Sequence, residues 1–450
     1  MNEKLSVSKY TAIGVMLFAL FFGAGNLIFP AQLGQQAGSN LWTAIAGLLI
    51  TGVGLPFLGV LAMGFSGSRN LQDLASRVHP VYAVFFTCLL YLTIGPFFAS
   101  PRTGTVAYEV GIAPLLSENM QQYGLFVFTL IFFGLTLWFS LNPAKIVDRV
   151  GKFLAPGIVI LLTILLLMVI FNPMGAIQAP VDGYVDSSFV TGFLVGYNTM
   201  DALASLVFGI IVINAVRNYG VTSKKGIMNA TIKSGFIAIG ILGAIYVGVA
   251  YMGLRTTESL GISENGGEVL STTASYYFGT LGLIFLAVLI ILACLTTAIG
   301  LTIACAEYFQ TLFPKIGYKA LVIFFAIITF IFANFGLTNI ITYSVPVLMF
   351  LYPLAIVLML LTFLSPLFHH RQFVYIASIT VTFLISIFDG LVELCKSLAI
   401  ENFQWMQPVL NFYHKYLPLY DQGLGWIVPV AIVLLITGIL SRVSGPREIS

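Results

Sequence analysis

The stretch Phe22-Gly23-Ala24-Gly25-Asn26-Leu27-Ile28-Phe29-Pro30 interrupts the first apolar segment of the chain. Glycine lowers helix stability by about 1 kcal/mol relative to alanine, and proline lowers it by about 3 kcal/mol. A segment of this length crosses a bilayer, where an interrupted backbone is tolerated only if it is buried in protein or lines a cavity. The stretch therefore predicts a membrane helix that unwinds near its middle and turns free N–H and C=O groups toward a pocket.

The composition makes lipid the solvent for most of this protein. Of its 450 residues, 59% are hydrophobic and only 8% are charged, and the mean hydropathy is +1.00. Soluble domains carry about 25% charged residues, which is enough to cover a water-facing surface. We therefore predict an all-α membrane protein whose surroundings are the lipid bilayer, with no nucleic-acid partner.

Apolar segments long enough to cross the membrane recur along the whole chain. We predict about twelve transmembrane helices and a single transporter domain over residues 1–450, with no soluble domain between the spans. The spans are 10–35, 41–64, 82–107, 124–141, 153–171, 188–214, 230–253, 275–304, 320–336, 339–363, 373–390 and 424–441. The longest polar connections are predicted at 108–123, 172–187, 255–274 and 391–423.

Lysine and arginine set the orientation of a multi-span protein, because they favour cytoplasmic connections. With a cytoplasmic N-terminus, all but four of the 20 basic residues fall on the inside, the exceptions being Arg102, Arg255, Lys396 and Lys415. The inner set is Lys4, Lys9, Arg69, Arg77, Lys145, Arg149, Lys152, Arg217, Lys224, Lys225, Lys233, Lys315, Lys319, Arg371, Arg442 and Arg447. This alternation predicts an even number of spans with both termini cytoplasmic.

The sixth span carries a second interruption, Gly196-Tyr197-Asn198-Thr199-Met200-Asp201. An acidic residue deep in a membrane span is costly and marks a functional candidate. Asp201 could instead cap the second half of the helix by accepting from its free amides. The two roles are compatible, and both place a break in the backbone here.

Interruptions in the first and sixth spans fall at corresponding positions of two five-helix halves, 10–171 and 188–363, with 373–441 supplying two further helices. Five is an odd number, so the halves enter the membrane from opposite faces. Such paired breaks predict an inverted-repeat transporter with its site where they meet. The alternative is that glycines only permit close helix packing, which suffices for Gly14, Gly47, Gly240 and Gly243.

The eighth span offers neutral oxygens for a small cation. The Ala293 carbonyl and the Thr296 and Thr297 hydroxyls can converge on one point, and hard cations prefer oxygen ligands. The alternative is that both hydroxyls bond back to the preceding turn. Residues 153–171 contain no Lys, Asp, Glu or His, which favours sodium over a lysine-based proton site, although Asp201 remains open as a proton carrier.

Arg102 falls near the outer end of the third span, within Pro101-Arg102-Thr103-Gly104. It could guard an outer vestibule or attract a substrate carboxylate, or it could snorkel to the headgroups.

Protein classes other than a transporter fit the sequence less well. A channel would show a carbonyl filter or rings of like side chains, a membrane sensor would carry a soluble output domain, and no nucleophile–base pair or metal-ligand spacing suggests an enzyme or a cofactor.

These motifs resemble those of bacterial branched-chain amino acid carriers of the BrnQ type. The similarity includes the run 22–30 followed by Gly34-Gln35-Gln36-Ala37-Gly38, then Gly95-Pro96 with 101–104, and Gly196-Tyr197 with 199–203, and it extends over essentially the whole chain. The family is similar to the amino acid–polyamine–organocation group, with the five-plus-five inverted repeat of sodium-coupled leucine transporters.

The resemblance implies import of leucine, isoleucine and valine by symport with sodium across a bacterial inner membrane; the alternative is a proton-coupled carrier of another small apolar amino acid. The implied sodium ligands are Ala19, Phe22, Ala293, Thr296 and Thr297. The implied substrate site is Gly23, Ala24, Gly25, Asn26, Gly196, Tyr197, Thr199 and Asp201. This chain has Leu27-Ile28-Phe29 where leucine transporters place a gate arginine, so Arg102 is the candidate gate residue.

Overall fold

A computed structural model describes residues 5–141, 146–400 and 406–443, and these ranges contain helices and connections but no strand. The α-helices are α1 (Val7–Phe21), α2 (Gly25–Ala37), α3 (Leu41–Leu49), α4 (Leu55–Ser66), α5 (Leu71–Ala75), α6 (Pro80–Leu92), α7 (Ala99–Gly111), α8 (Glu118–Leu141), α9 (Ile146–Phe171), α10 (Gly183–Asp186), α11 (Ser188–Val195), α12 (Asp201–Asn218), α13 (Lys224–Leu254), α14 (Thr257–Leu260), α15 (Gly266–Leu312), α16 (Tyr318–Ala333), α17 (Leu337–Leu364), α18 (Gln372–Ser397), α19 (Gln407–Tyr416) and α20 (Ile427–Val443). Short 3₁₀ turns lie at Gly38–Asn40, Ala113–Leu115, Gly196–Thr199, Ser365–Phe368 and Tyr420–Gln422, and π-helical turns lie at Ile50–Gly54 and Thr93–Phe97.

The long apolar helices match the predicted spans. Among the described residues, eight helical stretches are long and apolar enough to cross a membrane, and four shorter apolar helices accompany them at Val7–Phe21, Val159–Phe171, Tyr318–Ala333 and Ile427–Arg442. Each of the twelve predicted spans is occupied by helix. The prediction of an all-α protein with about twelve membrane helices is therefore confirmed.

Helix packing follows the exchange expected of a five-plus-five repeat. The two halves of the first span, α1 and α2, pack on the seventh span α13, while the halves of the sixth, α11 and α12, pack on the second span, α3 and α4. The third span packs on the eighth through α7 and α15, and the fourth packs on the ninth through α8 and α16. If each span is exchanged for the one five places away in the chain, the pair of spans 1 and 7 becomes the pair 6 and 2, while the pairs 3 and 8 and 4 and 9 are unchanged.

Glycines allow the exchanged pairs to approach closely. A Cβ on Gly34 would lie 1.9 Å from the Ala250 carbonyl oxygen, and one on Gly47 would lie 2.0 Å from the Phe189 carbonyl oxygen. The expected packing role also fits Gly14, which faces the Ser234 carbonyl oxygen at 2.7 Å. The predicted packing role is wrong for Gly240, where a Cβ would meet nothing within 4 Å. A Cβ on Gly243 would make only an ordinary contact at 3.7 Å.

Both predicted interruptions are present. α1 ends at Phe21 and α2 begins at Gly25, after an extended Phe22 (φ −70°, ψ 102°). α11 ends at Val195, a 3₁₀ turn follows, and Met200 adopts the left-handed conformation (φ 62°) before α12 begins. The first and sixth membrane helices are therefore unwound, as the glycine and polar runs predict.

The third span contains a break that was not predicted. Gly95 has non-helical angles (φ −89°, ψ −116°) inside a π-helical turn, and Pro96 follows it without an N–H to donate. A Cβ on Gly95 would lie 2.2 Å from Cys305 Sγ, so the break admits a side chain of α15. The Gly-Pro pair was a visible signal, and this break aims the start of α7 at the site described below.

All four predicted polar connections are partly helical. α7 continues to Gly111 and α8 begins at Glu118 within 108–123, and α10 lies within 172–187. The predicted loop 255–274 is wrong after residue 265, because Asn265 caps α15 at its start and Val269 and Leu270 are buried. Gly266 permits this packing, since its Cβ would lie 1.9 Å from the Ile28 carbonyl oxygen. The predicted loop 391–423 likewise contains the end of α18 and the whole of α19, whereas residues 401–405 lie outside the described ranges.

Candidate functional site

A cluster of three buried polar side chains joins the two broken helices to α13. The Asn26 Nδ2 group donates to Asp201 Oδ2 at 2.5 Å, and Tyr246 OH donates to the same oxygen at 2.9 Å. Asn26 Nδ2 also lies 2.6 Å from Tyr246 OH. These side chains are at most 4% exposed. A buried carboxylate is tolerated only when it is hydrogen-bonded or paired, so this cluster is what keeps Asp201 inside the bundle.

Asp201 is not the cap of α12. The residue at the N-cap position is Met200, and Asp201 is the first helical residue, with its side chain directed to Asn26 and Tyr246 instead of the free amides of its own helix. The backbone amide of Asp201 lies 3.4 Å from Thr199 Oγ1, so Thr199 serves the helix start. The capping alternative is therefore wrong, and the carboxylate belongs to the site.

The break in the first span presents unpaired backbone donors. The Gly23 amide donates to Asn26 Oδ1 at 2.7 Å, which fixes the Asn26 amide group and so its donation to Asp201. Within the described residues, no acceptor is found for the amide N–H groups of Ala24 and Gly25. They lie at the start of α2, where the helix dipole adds positive potential. This combination suits a carboxylate or another small anion.

Arg102 lies inside the protein, between the two breaks. Its side chain is only 2% exposed, its Nη1 donates to the Asn198 carbonyl oxygen at 2.8 Å, and its guanidinium lies 5.0 Å from the Phe29 ring centre. This burial shows that the snorkelling alternative is wrong. A Cβ on Gly25 would lie 3.1 Å from Arg102 Nη2, so the glycine makes room for the cation.

These groups surround one small cavity of about 40 Å³. Its polar lining comes from Asn26, Arg102, Thr103, Thr199, Asp201 and Thr297 together with the backbone of 23–25. Its apolar lining is Leu20, Phe21, Ile94, Ala99, Met200, Ala204, Phe208 and Leu301. One positive and one negative side chain therefore face the same space beside an apolar wall.

Six of the eight predicted substrate-site residues line this cavity: Gly23, Ala24, Gly25, Asn26, Thr199 and Asp201. Gly196 and Tyr197 do not. A Cβ on Gly196 would lie 1.9 Å from Thr51 Oγ1, so this glycine serves close packing on the second span. The Tyr197 ring stacks on Tyr352 with ring centres 4.1 Å apart.

The predicted sodium ligands are divided between the cavity and the neighbouring backbone. Thr297 lines the cavity, and its methyl group would lie 3.7 Å from a Cβ on Gly23, so α15 meets the first break here. The hydroxyls of Thr296 and Thr297 both donate to the Ala293 carbonyl oxygen, at 2.8 and 3.1 Å. The back-bonding alternative is therefore realised, and it also gathers three oxygens. Ala19 lies in α1 and Phe22 is the extended residue that follows it, and neither is part of the cavity lining.

Tyr246 is the main site residue that sequence reasoning missed. It is one of two tyrosines in the apolar helix α13, the other being Tyr251, and nothing in its local sequence separates it from other membrane tyrosines. Its role follows only from the packing of the first span on the seventh, which brings its hydroxyl to Asp201.

The fold and the site define the class: a helical membrane protein of the transporter type, with two unwound helices meeting at a buried polar cavity. A solved structure described as "Inward facing conformation of Mhp1" superposes with a TM-score of 0.53, covering 86% of this chain and 91% of that one at 14% identity. At this identity the likeness shows the fold alone, and it confirms the predicted fold class.

The chain belongs to the family described as "Branched-chain amino acid transport protein", whose model matches residues 6–444. It is 48% identical to the branched-chain amino acid permease BrnQ of Bacillus subtilis, over 95% of this chain and 96% of that protein. It is 38% identical to BrnQ of Escherichia coli, over 100% and 99% of the two chains. The resemblance inferred from the motifs is thus confirmed, as is the prediction of a transporter rather than an enzyme.

Proposed function

We propose that this protein is a secondary symporter that imports leucine, isoleucine and valine together with sodium by alternating access. The observation that carries the proposal is the buried cavity in which Arg102 and Asp201 face one space beside an apolar wall. A zwitterion with a hydrocarbon side chain complements such a lining in charge and polarity. The similar proteins named as branched-chain amino acid permeases support the same substrate class.

In this proposal, each part of the amino acid has its own partners. The carboxylate binds to the free amides of Ala24 and Gly25 and to the Arg102 guanidinium, and the ammonium binds between Asp201 and Thr199. The branched side chain lies against Phe208 and its apolar neighbours. A hydrophobic pocket distinguishes one methylene by only about 1–3 kcal/mol, so the three substrates compete with one another.

Sodium is proposed to bridge the first and eighth spans. Its ligands would be the carbonyl oxygens of Ala19 and Phe22 and the Ala293, Thr296 and Thr297 oxygens that the structure gathers on α15. These are neutral oxygens, and a monovalent hard cation needs no formal charge among its ligands. Binding would hold α15 against the first break and so favour the outward-facing state.

Alternating access follows from the burial of the site. Asn26, Arg102 and Asp201 are at most 4% exposed, so neither face of the membrane gives a substrate open access to them in this arrangement of the helices. The helices around the breaks would therefore separate to admit substrate and close again to release it on the other side. The excess of Lys and Arg in alternate connections supports a topology with both termini in the cytoplasm. The proposed location is the inner membrane of a bacterial cell.

The proposal is tested by uptake of radiolabelled leucine into proteoliposomes under an imposed sodium or proton gradient. We expect a sodium gradient to drive accumulation, with isoleucine and valine as competitors. Accumulation driven only by protons would favour proton coupling, and uptake indifferent to both gradients would reject symport.

Thr297→Ala separates the sodium site from the rest of the transporter. Removing one ligand oxygen should raise the sodium concentration for half-maximal uptake by about tenfold, since a lost hydrogen-bond-like contact is worth about 1 kcal/mol or more. Thr302→Ala is the matched control, because this hydroxyl also bonds back on α15, to Ala298, but lies away from the cavity. An equal sodium requirement in both variants would remove the helix-eight assignment.

A further inference from the structure

A second cavity lies at the membrane face where α4 and α12 end and α13 begins. Its volume is about 190 Å³, and its floor is apolar, with Met63, Ile213 and Ile227. Arg217 and Lys224 lie on its lining and are exposed, so the cavity has an apolar interior and a cationic rim. No carboxylate lines it among the described residues.

Further cations surround this rim. Arg77 Nη2 donates to the Ser66 carbonyl oxygen at 2.8 Å, and Lys224 Nζ lies 5.6 Å from the Phe65 ring centre, so both are held at the last turn of α4. Partial burial and the charges of Arg77, Lys224 and His369 lower the pKa of His370. The turn between α17 and α18 therefore lies within electrostatic range of the rim.

The lysines of the rim occupy an unfavourable end of their helix. Lys224 and Lys225 form the first turn of α13, a helix of 31 residues whose first turn has no acidic residue. The positive end of a helix dipole disfavours cations and favours anions. A general excess of positive charge on one membrane face would explain exposed lysines, but it explains neither their position at this helix start nor the cavity between them.

We propose that this cavity binds the phosphate of an anionic phospholipid. The rim lies at the ends of three membrane helices, α4, α12 and α13, and its cations and helix dipole complement a phosphate. The apolar floor complements the glycerol and upper acyl region of the same lipid. Basic pockets between membrane helices bind anionic headgroups in this way. The site is distinct from the cavity between the two breaks and shares no lining residue with it.

The test uses the full-length protein in detergent and native mass spectrometry, titrated with phosphatidylglycerol or phosphatidylcholine. The parent protein should bind phosphatidylglycerol preferentially. The double variant Arg217→Gln/Lys224→Gln should bind it about 30-fold more weakly, because each basic residue near the headgroups contributes about a factor of five. Lys315→Gln/Lys319→Gln is the matched control, since it removes two exposed cations at the same predicted membrane face, one from the α15–α16 connection and one from the first turn of α16. It should bind as the parent does.

Several results would overturn the proposal. They are equal binding of both lipids to the parent protein, equal weakening in the two double variants, and displacement of the lipid by millimolar inorganic phosphate, which would indicate a site for free anions. Lipid binding that appears only after removal of residues 444–450 would show that the C-terminal residues of the protein, and not a lipid, occupy the cavity. Arg217→Lys/Lys224→Arg keeps both charges and should retain binding, which separates loss of charge from misfolding.

Discussion

Asp201 carries the negative charge of the central cavity, and its environment is built from three separate spans. Both of its hydrogen-bond donors approach the same oxygen, Oδ2, from Asn26 and Tyr246. No cation lies within 4.0 Å of it among the described side chains, and the nearest positive charge on the cavity is Arg102. The carboxylate therefore retains capacity to bind an incoming ammonium group.

Replacement of Asp201 by asparagine tests this role at the scale of one residue. The change preserves shape but removes the charge, and hydrogen bonds to charged groups are worth about 1.5–3 kcal/mol. We expect the KM for leucine to rise by about 10- to 100-fold. Uptake kinetics in proteoliposomes, at matched amounts of reconstituted protein, measure this change.

Tyr246→Phe is the comparison for that variant. It removes one donor to Asp201 and leaves the charge in place, so KM should change by less than in Asp201→Asn. If Asp201→Asn transports leucine with the parental KM, the carboxylate only connects the two breaks and does not bind substrate.

Site residues such as Asp201 and Asn26 can be predicted in part from the sequence. An aspartate and an asparagine beside glycines within apolar spans mark a site, because polar groups are costly in lipid unless they serve one. The sequence did not predict where the Arg102 side chain lies. Its sequence number fits both a headgroup contact and an internal site, and only the break at Gly95, which aims α7 inward, decides between them.

At the scale of the helices, the unwound segments are supported by tightly packed neighbours. Met200 holds a left-handed conformation that costs a residue with a side chain about 1 kcal/mol or more. Such strain persists only where the surroundings enforce it. Here the halves of the broken helices pack against their neighbouring spans through glycine contacts such as those of Gly34 and Gly47.

Gly34→Ala tests the contact between α2 and α13. The new methyl group would lie 1.9 Å from a backbone oxygen, which cannot rotate away as a side chain can, so the two helices must shift. Overpacking costs about 1–3 kcal/mol. We expect a lower unfolding temperature in detergent. Unfolding is measured by tryptophan fluorescence or with a thiol-reactive dye.

Gly240→Ala serves as the control, because it lies on the same α13 and its methyl group would meet nothing within 4 Å. It should unfold at or slightly above the parental temperature, since alanine favours helix more than glycine does. A Gly34→Ala protein that unfolds with this control would show that the two helices are not in close contact.

For the whole molecule, the exchange of packing partners explains how one architecture arises from two dissimilar halves. Each broken span packs on an intact span from the other half, so neither half can bury its breaks alone. The limits of the repeats at 10–171 and 188–363, and of the last pair at 373–441, stay predictions. So does the orientation, and Lys4, Lys145 and Arg447, on which it partly depends, lie outside the described residues.

Reporter fusions test that orientation. A cytoplasmic reporter joined after residue 450 should be active, and a reporter that requires export should be active when inserted in the connection after α9. The reason is the excess of Lys and Arg in the connections assigned to the cytoplasm. The reverse pattern of activity would show that the protein is inserted with its termini outside.

The sequence by itself determined the solvent of this protein, its number of spans and the positions of its two central breaks. Those features depend on local chemistry: apolar length, charge in connections, and glycine or polar runs that weaken a helix in lipid. Only the tertiary structure decided which side chains meet in the cavity. Arg102 lines the cavity and Tyr246 donates to Asp201 of its lining, whereas Gly196 and Tyr197 lie off it. These positions depend on how distant helices approach and rotate against one another, which no local pattern encodes.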